Sequence, residues 1–201
     1  MSIDAAFESA RAAAHNAPRR RFAQGTGIGG QIGQGNLDAS KADGLCGGVS
    51  LAYLGLYKSG QSLFSVDAAS PKASWQYINR AQDEVVHSTM EQCNFEMAGG
   101  GMGLTVKARS IVFNAPVSTG MSTWIASKPG LYLVGMPVHY CAVIHDSKKL
   151  SFFDPNCGEV FFPPSNTQDL ETFMQHYLNQ PDVSSLYQLT AGNKVYLTWY
   201  Q

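Results

Sequence analysis

Charge is scarce in this 201-residue chain: 14% of residues are charged, and 14 Lys+Arg against 15 Asp+Glu leave a formal net charge of -1. That balance argues against a non-specific nucleic-acid binder, and with 44% hydrophobic residues it also argues against disorder. Long apolar runs are missing as well. No stretch approaches the ~18 residues a membrane-spanning helix needs, and Met1-Ser2-Ile3-Asp4 lacks the basic start and apolar run of a secretory signal peptide. Cysteine is sparse: Cys46, Cys93, Cys141 and Cys157 are too few for a disulfide framework and form no CxxC pair. His139 and His145 flank Cys141 without the close four-ligand spacing of a structural zinc site, so no metal is expected. What remains is one soluble domain, long enough to bury about 70% of its unfolded surface without staples.

Ser2 to Ala14 is Ala-rich and predicts a short helix, which the Pro18-Arg19-Arg20-Arg21 run ends. Six glycines between Gly25 and Gly35 then resist regular structure, so residues 1–36 read as a flexible Gly- and Arg-containing arm ahead of a domain spanning 37–201. Gly25-Thr26-Gly27-Ile28-Gly29-Gly30 lacks the preceding strand and the Gly-Lys-Ser/Thr of a phosphate loop. From Leu45 onward, Val49, Ala52, Tyr53 and Leu56 recur at helical spacing up to Ser59-Gly60, with Cys46 in the first turn. A second helix is predicted from Pro71 to about Cys93, with Trp75, Ile78, Ala81, Val85 and Met90 inward, and a short one at Met121–Ser127. Downstream the period becomes strand-like at Leu131–Gly135, Val138–His145, Leu150–Asp154 and Val160–Phe162, with tight turns that favour antiparallel hairpins. An amphipathic helix from about Thr167 to Asn179, capped by Ser165 or Asn166, and a strand at Lys194–Tyr200 complete the pattern. Helices first and an antiparallel sheet afterwards describe an α+β fold.

Three residues carry candidate chemistry. Asp43-Gly44-Leu45-Cys46-Gly47-Gly48 puts a cysteine where a glycine-containing loop enters an apolar helix. Free amides and the positive dipole end of a helix start favour thiolate over thiol, and small neighbours let a substrate approach. Packing at a helix end would suit the same residue equally well. His139 begins an apolar strand after Pro137, where an imidazole can reach a cleft, although a hydrogen-bonded core histidine also fits. Asp154 ends the next strand in Phe152-Phe153-Asp154-Pro155-Asn156, a place equally suited to a turn-initiating aspartate. A hairpin turning near Asp146 to Lys149 brings His139 beside Asp154, so that the carboxylate would orient the imidazole and the imidazole would face Cys46. Cys141 and Cys157 read as packing or turn residues, with Cys157 the more exposed, and His15, His87, His145 and His176 receive no role.

In that chain order the three segments resemble the motifs of the YopT-type cysteine protease effectors, which are papain-like. The Phe153-Asp154-Pro155-Asn156-Cys157-Gly158-Glu159-Val160-Phe161-Phe162 run is the most diagnostic, and the resemblance spans Asp43 to Phe162. It implies a papain-like cysteine protease fold, with N-terminal helices packed on a C-terminal antiparallel sheet. It also implies Cys46 as nucleophile, His139 as general base and then acid, and Asp154 as the orienting group, with no metal or organic cofactor. Such effectors are made in the bacterial cytoplasm, are often exported by a specialised secretion system without a cleavable signal peptide, and cleave protein substrates in a target cell. Some are processed near their N-terminus. The papain-type oxyanion glutamine, six residues before the nucleophile, is replaced by Ser40. The backbone N–H of Cys46 is therefore the expected oxyanion donor, with Lys41 or Asp43 as further contributors. Two alternatives stay open. One is a papain-like amidase, deamidase or acyltransferase acting on cell-wall peptide or protein glutamine; the other is a catalytically inactive binding domain on this scaffold.

Overall fold

The computed structural model describes residues 2–24, 28–37, 40, 44–86, 99–117 and 119–201. The chain starts with α1 (Ile3–Ala13), β1 (Arg19–Arg21) and α2 (Ile28–Gly33), followed by a helical group α3 (Cys46–Lys58), α4 (Leu63–Ala69) and α5 (Pro71–Val86). After β2 (Val106–Asn114) and α6 (Thr119–Ser127) comes a run of strands: β3 (Gly130–Met136), β4 (His139–His145), β5 (Leu150–Asp154) and β6 (Gly158–Phe162). Helices α7 (Thr167–Leu178) and α8 (Pro181–Leu186) precede the last strand, β7 (Lys194–Tyr200).

Among the described residues the strands form one antiparallel sheet in the order β1-β6-β5-β4-β3-β7-β2. Both faces are covered, and the period of two along each strand sorts its side chains between two cores. Tyr132, Val134, Cys141, Val143 and Phe152 join a core with Phe7, Met121, Ile125, Phe173 and Tyr177 from α1, α6 and α7. Leu131, Leu133, Ala142, Ile144 and Phe153 join the other, with Val49, Leu54, Trp75 and Ile78 from α3 and α5. The central strands are thus buried and mostly apolar, as a doubly covered sheet requires, with His139, His145, Ser151 and Asp154 as buried polar residues.

The α+β class and the four hairpin strands match the sequence reading. Three other expectations need correction. Residues 2–24 are not a loose arm but part of the first core: Phe7 is fully buried and meets the rings of Phe173 and Tyr177 edge-on at 5.0 and 5.1 Å. Arg19, expected within the same flexible arm, is held in place too. Its guanidinium lies over the Phe7 ring and is bonded to Asp4, Glu8 and the Cys157 carbonyl, while β1 pairs with β6. Within the glycine-rich stretch, α2 forms despite poor local propensity, with Ile32 and the adjoining Leu37 packed on the second core. Strand β2 escaped notice because register shifts between Val106 and Ile111 break its alternation. The part of the second predicted helix beyond Val86, including Met90 and Cys93, lies outside the described residues.

Candidate active site

Cys46 is the first residue of α3, and the chain reaches it through Gly44, whose φ of +97° is the left-handed conformation that favours glycine. Helix α5 packs so closely on this first turn that a Cβ at position 48 would sit 2.7 Å from Cβ of Gln82. The buried Gln82 side chain accepts the Gly48 N–H (2.6 Å) and donates to the Gly44 carbonyl (3.2 Å). Ser50 donates to the Tyr140 carbonyl at 3.1 Å and ties the same helix to β4. Cys46 itself is 5% exposed, with its sulfur 3.9 Å from the Gly44 carbonyl oxygen.

His139 starts β4 and Asp154 ends β5, and the antiparallel register from His145↔Leu150 to Ala142↔Phe153 carries the two ends together. Nε2 of His139 is 3.1 Å from Oδ1 of Asp154. That leaves Nδ1 as the ring nitrogen available to Cys46, which lies close enough to the ring to favour its charged form. The ring is stacked on Tyr187, with centroids 3.9 Å apart and planes 10° from parallel. The residues expected from the sequence therefore converge, at the sheet end where helices from both faces meet.

Asp154 is fully buried and its oxygens are saturated. Oδ1 also accepts the Asn156 N–H at 2.8 Å; Oδ2 accepts the Tyr177 and Tyr187 hydroxyls, both at 2.9 Å, and the Cys141 thiol at 3.4 Å. Burial alone would raise the Asp154 pKa, but His139 and these donors hold it below the ordinary carboxylate value. Burial alone would likewise lower that of His139. The Asp154 charge and hydrogen bond, with Cys46 adding to them, outweigh it and raise the imidazole to about 9.

Sequence reasoning missed Tyr177, Tyr187, Asn156, Cys141 and Gln82 as parts of this site. Tyr177 falls within the predicted amphipathic helix from about Thr167 to Asn179 but carries no mark of this role, and nothing local marks Tyr187 or Gln82. Cys157, expected to be the exposed cysteine, is fully buried beneath Arg19 and Tyr177, and burial pushes its thiol up to about 12. His145 bonds the Ile125 carbonyl at 2.9 Å, a structural role. His87, Lys41 and Asp43 lie outside the described residues, and Ser40 is exposed. A cavity of about 740 Å³ at the far end of α3, between Arg20, Tyr57, Lys148 and Phe161, includes neither Cys46 nor His139.

One donor of His139, Cys141 and Asp154 each lies within 4.8 Å of the others, a spacing a metal ion could use. Those donors are fully buried or nearly so and bonded to one another, so a cation would have to break the His139–Asp154 and Cys141–Asp154 contacts. Cys141 is also a poor nucleophile: burial first, and the adjacent Asp154 charge second, hold its thiol protonated.

No family model and no curated protein matches the chain. Among solved structures it is similar to the Pseudomonas avirulence protein AvrPphB, at 16% identity and a TM-score of 0.53, over 78% of this chain and 91% of that one. The chain has the papain-like cysteine protease fold. A second similar structure is PatoxP, a cysteine protease-like domain of the Photorhabdus asymbiotica toxin PaTox, at 18% identity and a TM-score of 0.45. That match spans 97% of this chain and 57% of that one. Among the described residues no helix is long and apolar enough to cross a membrane.

Proposed function

We propose that the chain is a cysteine peptidase of the YopT-like effector type, acting on a protein substrate in a target cell through Cys46, His139 and Asp154. The observation that carries the reading is a single imidazole hydrogen-bonded to a fully buried carboxylate, with a cysteine at a helix start close enough to the ring to favour its charged form. The resemblance of the sequence motifs to YopT-type effectors supports the substrate class, and the avirulence-protein neighbour supports the target-cell setting. Export by a specialised secretion system belongs to the same reading.

The Cys46 thiolate attacks the scissile carbonyl, and the electron pair moves to oxygen. The negative oxygen is met by the backbone amides at the start of α3; that of Gly48 is already taken, while those of Cys46 and Gly47 have no acceptor among the described residues. Protonated His139 gives its Nδ1 proton to the leaving amine as the C–N bond breaks, which leaves a thioester and a neutral imidazole. A water then attacks the thioester while His139 takes its proton; the C–S bond breaks, the acid departs, and thiolate and imidazolium are restored. Asp154 keeps Nε2–H occupied throughout, so the ring presents Nδ1 to the sulfur and its positive charge is stabilised. Because the protonated ring is the acid, turnover falls as pH rises through about 9.

Incubating the protein with a peptide library and, separately, with purified peptidoglycan tests the reaction class. Cleavage of internal peptide bonds by the native protein, and none by Cys46→Ala, is expected. Release from peptidoglycan alone would move the assignment to an amidase, and equal turnover by Cys46→Ala would end it.

A further inference from the structure

Helix α3 starts in an unusual way for a buried helix. Its N-cap residue is Leu45, which has no side chain able to accept a hydrogen bond, whereas Ser, Thr, Asp or Asn normally caps the third helical amide. That amide, Gly48 N–H, is capped instead from α5 by the side-chain oxygen of Gln82, and the same side chain's nitrogen holds the Gly44 carbonyl. One neutral amide group therefore fastens both ends of Gly44-Leu45-Cys46-Gly47-Gly48, with Cys46 at the midpoint.

We infer that Gln82 is a positioning residue: it fixes the turn around Cys46 so that the sulfur and the first helical amides converge on the reacting carbonyl. The inference rests on the reading of Cys46 as nucleophile. Three observations carry it. Gln82 is 3% exposed and reaches the turn with donor and acceptor both engaged. Position 48 has no space for a Cβ, so a glycine there is the condition for the 2.6 Å contact. And with an exposed Ser40 in place of the papain-type glutamine, the proposed reading assigns the oxyanion to backbone amides, whose direction is set by the turn itself. A serine or aspartate at position 45 could have capped the same amide, but its oxygen would then lie beside the amides the oxyanion needs. Capping from a separate helix leaves those amides open.

The chemistry of the contact supplies its own test. Gln82→Met keeps the length and loses both hydrogen bonds. Gln82→Glu keeps the shape; ionised, it accepts from Gly48 but repels the Gly44 carbonyl, and protonated, its O–H donates to Gly44 and restores both bonds. Steady-state kinetics on a cleaved peptide, with thermal unfolding alongside, should show kcat lowered about 100-fold in Gln82→Met with KM changed less than threefold. For Gln82→Glu the ratio of its kcat to that of the native protein should climb about tenfold as pH falls from 8 to 5. A Gln82→Met kcat within twofold of native, or a Gln82→Glu ratio flat with pH, overturns the inference, as does loss of folding in both variants, which would make Gln82 purely structural. Cys46→Ala in the same assay separates the two claims: if it is inactive, the Gln82 results decide the positioning role alone; if it is active, the peptidase reading itself has failed.

Discussion

The two helical layers contribute unlike things to the site. The layer of α1, α6, α7 and α8 is rich in aromatic rings and surrounds a charge: Tyr177 and Tyr187 donate to Asp154, Tyr187 stacks on His139, and Phe7 and Phe173 pack behind them. The layer of α3 to α5 carries the sulfur and holds its turn through Gln82 contacts to the backbone of Gly44 and Gly48. A carboxylate in a dry interior is tolerated only with its lone pairs filled, whereas a nucleophile needs its neighbouring amides unspent. In the proposed reading, one side is finished before substrate arrives, and the other is completed by it.

Removing the charge from the finished side should have the largest effect. Asp154→Asn is expected to lower kcat by about 10³–10⁴-fold. It should also move the alkaline limb of the pH profile to below about 9, because the main influence opposing burial at His139 is then gone and only Cys46 still raises its pKa. The pair gives stability a pH window as well. The raised His139 contributes fully below its unfolded value near 6.5, and that contribution is lost as pH climbs through about 9. The lowered Asp154 contributes above 3.8 and is lost as pH falls through its depressed folded value. Denaturant titrations of the native protein at pH 7 and pH 10 should therefore show lower stability at pH 10, and an alkaline limb in Asp154→Asn identical to native would show that the carboxylate does not control the ring.

Next comes Phe7→Ala, expected to remove about 3–5 kcal/mol by leaving a cavity among Phe173 and Tyr177. A change near zero in urea unfolding would restore the loose-arm description of the N-terminal segment. Gly48→Ala acts on the other layer, where its Cβ meets Gln82 at 2.7 Å. A loss of about 1–3 kcal/mol is expected, together with a fall in kcat, and unchanged kinetics would mean the sulfur side is not sensitive to its backbone. Smallest is Tyr187→Phe, which keeps the stack on His139 and removes one of three donors to Oδ2. About 1 kcal/mol of stability should go, with kcat within tenfold of native.

The site was legible where its parts lie in local patterns. Cys46 at a helix start, His139 at a strand start and Asp154 at the next strand end follow from periodicity and a tight turn, and the hairpin register does the rest. Tyr187 and Gln82 were not legible, because each earns its place through a contact with a distant segment that leaves no trace in its own neighbours. The N-terminal segment misled for a related reason. Its glycines are poor by local propensity and its adjacent arginines read as charge, yet the helix signal in Ser2, Ala6, Phe7 and Ala10 was present, and Arg19 is buried by partners on α1 and beyond β5 that no local window contains. Short α4 and α8 were likewise unseen, being brief elements held by the layers they complete.

The central claim is that His139, held by Asp154, makes Cys46 the reactive sulfur of this fold. Site-resolved alkylation at pH 6, with the labelled peptides quantified by mass spectrometry in the native protein and in His139→Ala, tests it most directly. Cys46 should be labelled ahead of Cys141 and Cys157 and should slow at least tenfold without the imidazole. Labelling of Cys141 first, or a Cys46 rate indifferent to His139, would contradict the account.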